Sequence, residues 1–73
     1  MLGKKMVINI EGMHCSHCTK RVEETLKNID NIKSVKVSLE NKSATIKYKG
    51  EINIEDIKKE IENIGFEFKG ISE

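Results

Sequence analysis

Two periods alternate along this chain. Over residues 4–11, Met6, Ile8 and Ile10 fall on one side while Val7, Asn9 and Glu11 fall on the other, the two-residue period of a strand. Gly12 breaks it. Cys18, Val22, Leu26 and Ile29 then recur at spacings of four, four and three, one apolar stripe of a helix that starts at Ser16 or His17 with Ser16 as N-cap. Lys20, Arg21, Glu23, Glu24 and Lys27 take its wet side. Asn31 follows the stripe, and Asn tolerates the left-handed backbone that ends many helices. Strand period returns over residues 32–39, with Val35, Val37 and Leu39 inward. A polar turn at residues 40–42 leads into a third strand, where Ala44, Ile46 and Tyr48 alternate with Thr45 and Lys47, so the two strands form a hairpin. After a break at residues 49–51, Asn53 caps a second helix whose Ile54, Ile57, Ile61 and Ile64 recur at three, four and three. Gly65 stands at the position that ends it, and residues 66–69 form a last short strand.

The order β-α-β-β-α-β predicts an α+β, ferredoxin-like fold: one four-stranded antiparallel sheet with two helices on one face. One domain occupies residues 1–73, with its core over about 4–71. The last strand should lie antiparallel beside the first, bringing Gly65 and Phe66 next to Gly12 and Met13 from the far end of the chain. Hydrophobic residues at 37% and charged residues at 34% suit a small folded domain. A net charge of +1 argues against nucleic acid or an anionic membrane as partner. The wet side of the sheet, with Val7, Asn9, Thr45 and Lys47, offers no aromatic platform for stacking bases. No apolar run is long enough for membrane insertion, and residues 1–5 lack the apolar core of a secretory signal. A cytoplasmic location is expected, where thiols stay reduced.

The chemistry concentrates at Cys15 and Cys18, the only cysteines, separated by two residues at a strand-to-helix junction. Open N–H groups and the dipole at a helix start favour thiolate over thiol. Paired soft thiolates suit a soft ion such as Cu(I), or thiol–disulfide redox chemistry. The redox reading fits poorly, because thioredoxin-like folds set a cis-proline against the active cysteines and this chain has no proline. A zinc site from His14, Cys15, His17 and Cys18 would draw all its ligands from five residues, whereas structural zinc sites use two separated knuckles. Only a transient Zn(II) complex suits that spacing. Met13 reads as a core plug beneath the loop, and His14 and His17 as solvated loop residues. His17, between the cysteines, is the candidate to tune the thiols or lend a weak third ligand.

The run Gly12-Met13-His14-Cys15-Ser16-His17-Cys18 resembles the G-M-x-C-x-x-C motif of the heavy-metal-associated domain, found in small copper chaperones and in the N-terminal repeats of copper-transporting P-type ATPases. The resemblance runs from about Met6 to Phe68 and takes in Val22, Leu26, Ile32, the strand at 44–48 and the closing Ile61, Ile64, Gly65 and Phe66. Asn31-Ile32 departs from the usual Gly-Val, and Asn can take the same turn. The resemblance implies a carrier, not an enzyme, that holds Cu(I) between Cys15 and Cys18. It would pass the ion by ligand exchange to or from a copper ATPase domain or a copper-responsive regulator. Two thiolates leave a monovalent ion open to an incoming third, where a closed four-ligand site would trap it. Zn(II), Hg(II) and Ag(I) are the expected competitors. An aromatic at Phe66 would shield the metal, and Lys20 and Arg21 are docking candidates. The metal-free form is expected to be monomeric, with a metal-bridged dimer open to the loaded form. A chain opening on Met1 reads as a stand-alone protein; the alternatives are a domain cut from an ATPase and a mercury or other soft-metal carrier.

Overall fold

A computed structural model describes residues 3–14 and 16–72. Its elements run β1 (Lys4–Glu11), α1 (Ser16–Lys27), β2 (Ile32–Ser38), β3 (Ser43–Tyr48), α2 (Ile54–Asn63) and β4 (Glu67–Ile71). The four strands form one sheet in the order β2-β3-β1-β4, every neighbouring pair antiparallel. The ferredoxin-like arrangement expected from the pattern is the one observed. The core lies on one side of this sheet: Ile8 and Ile10 of β1, Ala44 and Ile46 of β3, and Ile32 and Val35 of β2 meet Val22 and Leu26 of α1 and Ile57 and Ile61 of α2. Strand alternation and helical stripe thus bury the same apolar set, which is what holds a domain of this size together.

Departures from the pattern at α1, Asn31 and β2 each have a local reason. The stripe continues to Ile29, but α1 stops at Lys27. There the N–H groups of Asn28 and Ile29 donate to Thr25 and Leu26, three residues back, so the chain tightens and leaves the α-helix while Ile29 still packs inward. Asn31 does adopt the left-handed backbone, at φ 75°, but as a turn residue before β2 and not as the helix terminator. Its carbonyl accepts from Lys49 N–H at 2.9 Å and its Nδ2 donates to the Glu51 carbonyl at 2.7 Å, tying two turns together. Leu39, expected inward, is 38% exposed. β2 ends at Ser38, and Leu39 opens the hairpin turn, so strand parity no longer sets its direction.

The end of α2 matters most for the site. Asn53 caps the helix start, its Oδ1 accepting from Glu55 N–H at 2.9 Å. At the other end Gly65 is left-handed, at φ +95°. Its N–H donates to Glu62 and the Phe66 N–H to Ile61, both at 3.1 Å. This is the paired bonding of a Schellman cap, which commonly sets the residue after the glycine against the helix it terminates. Phe66 therefore sits in the cap, just before β4, and not inside a strand over residues 66–69.

Candidate metal centre

β1 delivers the chain to the site and α1 takes it away. Beyond Glu11, Gly12 turns the backbone at φ +105°, a conformation that glycine adopts without strain. Met13 then drops into the core at 6% exposure, so its thioether packs beneath the loop. His14 is exposed. Cys15 lies outside the described residues. Ser16 is the first helical residue, one place inside the cap role expected for it, and its carbonyl accepts from Thr19 Oγ1 at 2.8 Å. Cys18 belongs to this first turn, half-buried and packed against the core cluster. The turn carries no acidic side chain, so nothing of its own offsets the positive end of the helix dipole. A thiolate placed there gains that stabilisation.

The second wall comes from the far end of the chain. Glu11 pairs with Glu67 across β1 and β4, which sets Gly12 beside Phe66. A Cβ built on Gly12 would stand 3.1 Å from Phe66 Cδ1 and 3.7 Å from Phe66 Cα. The ring can lie against the bare backbone of the loop only because residue 12 has no side chain. This dependence was not legible in the sequence, where Gly12 reads simply as a strand breaker. Phe66 is half-buried and packs on the core.

The histidines are placed differently. His14 and His17 are both exposed. His17 joins Ser16, Lys20, Arg21 and Glu24 around a shallow depression on the outer side of α1. Among the described residues, no three His, Cys, Asp or Glu side chains gather into a metal cage. The structure thus brings Met13, Cys18 and Phe66 onto one core beneath the loop and leaves His14, His17, Lys20 and Arg21 facing solvent.

The model of the heavy-metal-associated domain matches residues 7–67. This chain belongs to that family. The copper chaperone CopZ of Staphylococcus aureus is 37% identical over 62 residues, which span 84% of this chain and 91% of that protein. Copper-transporting ATPase 2 of Rattus norvegicus is 44% identical over 62 residues, 84% of this chain but only 4% of the ATPase. Among solved structures, a CopZ metallochaperone superposes with a TM-score of 0.84 at 34% identity, covering 90% of this chain and 100% of its own. A copper-binding domain from HMA7, a P-type ATPase, gives 0.84 at 32% identity, covering 93% of each chain. The oxidized MerP of Ralstonia metallidurans, at 17% identity, shares the fold alone. Membership makes the chain a heavy-metal-associated domain, a metal-binding unit and not an enzyme.

Proposed function

We propose that this domain is a cytoplasmic copper chaperone that holds Cu(I) between the Cys15 and Cys18 thiolates and passes it on by ligand exchange. The observation that carries the reading is the position of Cys18, three residues past Cys15. It lies in an acid-free first turn of α1, directly after a loop folded over Met13. Soft, low-coordinate Cu(I) suits two thiolates, whereas Zn(II) would remain short of its tetrahedral set. Phe66, held against Gly12 by the α2 cap, limits the approach of water to that loop. Met13 serves packing and not ligation, because its side chain is consumed by the core.

Transfer is proposed to run to or from a metal-binding domain of a copper-transporting P-type ATPase, or a copper-responsive regulator. An incoming thiolate forms a three-coordinate intermediate, after which one of the original pair leaves. Lys20 and Arg21 lie two and three residues beyond Cys18 on an exposed surface, where their charge can steer an acidic partner. The rat ATPase similarity supports a second reading, in which the same domain is one unit of a larger transporter. The chain spans nearly all of CopZ but a small part of that ATPase. Stopped-flow mixing of the Cu(I)-loaded protein with a metal-free ATPase domain tests the exchange. The observed rate should rise with acceptor concentration. A rate limited by dissociation and independent of the acceptor would rule out ligand exchange.

A further inference from the structure

The net charge of +1 conceals a local separation of charge: lysines gather on the outer face of the sheet at the start of β1, whereas Glu11 and Glu67 lie at the other end of that face. β2 and β3 contain no Asp or Glu. Register places Lys5 directly opposite Lys47, with Ser34 on Lys47's other flank, and Lys36 opposite Thr45, next to Val7. These are the residues between the inward Met6, Ile46 and Val35, so their side chains share the face turned away from the helices. Lys33, at the irregularity in β2, and Lys49, just past β3, flank the same area. All five lysines are exposed. Among the described residues the ion pairs are Glu23–Lys27 and Glu67–Lys69, and neither involves any of the five. The acidic surplus lies across the molecule on α2, where Glu55, Asp56, Glu60 and Glu62 outnumber Lys58 and Lys59.

We infer that this sheet face is a docking platform for the surface of an anionic phospholipid bilayer. Three features select that occupant. The charges are lysines, compact point charges on flexible stems, and not the arginine forks that grip individual phosphates. The face carries no aromatic ring on which bases could stack, which nucleic acid recognition by a sheet requires. The residues between the lysines, Ser34, Thr45 and Val7, are small, so five ammoniums can reach one plane together, matching a flat and diffuse negative field. Each lysine near a strongly anionic leaflet raises partition roughly fivefold. The platform also sits at the start of β1, while the metal loop follows its end, roughly 20 Å away at the rise of a strand. That exceeds the screening length of about 8 Å at physiological salt, so charge changes on the platform leave the electrostatics of the metal loop largely unaltered.

Sedimentation of the metal-free protein with vesicles tests this without reference to copper, so its failure would leave the chaperone reading standing. The protein should pellet with equimolar phosphatidylcholine–phosphatidylserine vesicles, remain in solution with pure phosphatidylcholine, and be released by added salt. Lys36→Glu with Lys47→Glu should lower partition by roughly 25-fold or more. Lys58→Glu with Lys59→Glu makes the same change in net charge on α2 and should leave most of the binding. A thermal melt of each variant checks folding, and Lys36→Gln with Lys47→Gln replaces the reversal if it unfolds. Three results would overturn the inference: no pelleting at low salt, equal losses in both double variants, or displacement from vesicles by a single-stranded oligonucleotide at equal phosphate.

Discussion

Gly12 and Gly65 are both left-handed, at φ +105° and +95°, and differ in what surrounds them. A Cβ on Gly65 meets nothing within 4 Å, so Gly65→Ala should cost only the backbone term of about 1–2 kcal/mol. Gly12→Ala carries a similar backbone cost and also forces Phe66 aside from 3.1 Å. Denaturant midpoints should therefore fall further for Gly12→Ala than for Gly65→Ala, and equal losses would show that the ring yields freely. Phe66 itself is half-buried, so Phe66→Ala should lose less than the 3–5 kcal/mol typical of a fully buried aromatic. As a shield, it should also surrender Cu(I) to a chelator faster in the folded mutant, and its thiols should oxidise sooner. A lowered melting temperature with an unchanged rate of Cu(I) loss would reduce Phe66 to packing. At this scale the sequence was informative wherever a residue's neighbours are fixed by strand pairing. Phe66 beside Gly12 follows from the antiparallel pairing of β1 with β4, although the residues lie far apart in the chain. The direction of Met13 did not follow from strand parity, because Gly12 resets the backbone before it.

Among the elements, α2 was legible at both ends because its signals are local. Asn53 and Gly65 satisfy the free N–H and carbonyl groups of the helix with their own atoms or backbone conformation. Asn53→Ala should thus cost about 1 kcal/mol, read from the chemical-denaturation midpoint, through loss of the 2.9 Å bond to Glu55 N–H. A loss below a few tenths would mean that water replaces the cap. The end of α1 was less legible. Ile29 belongs to the apolar stripe and packs inward, so periodicity counts it as helical, while the hydrogen bonds have already shortened to three residues. Leu39 failed for the complementary reason: it continues the alternation of β2 in sequence, but the turn it opens has its own geometry.

For the molecule as a whole, averaged charge was the weakest guide. Thirteen basic and twelve acidic residues give +1, and only the register of β1, β2 and β3 gathers five lysines on one face. The same averaging hides Lys20 and Arg21 beside the metal loop. Reversing both should slow transfer to an acidic partner domain, and more so at low salt, while leaving Cu(I) affinity unchanged. A rate that ignores both the reversal and ionic strength would make them merely solvated. The two-thiolate site stands behind all of these expectations, and a bridge between residues 15 and 18 would close too small a loop to hold the fold together. Competition for Cu(I) against a chelator, under reducing conditions, with the wild type, Cys15→Ser and Cys18→Ser side by side, tests it most directly. Both variants should remain folded and lose most of their Cu(I) affinity. Wild-type affinity in either folded variant would contradict a site made by the two thiolates.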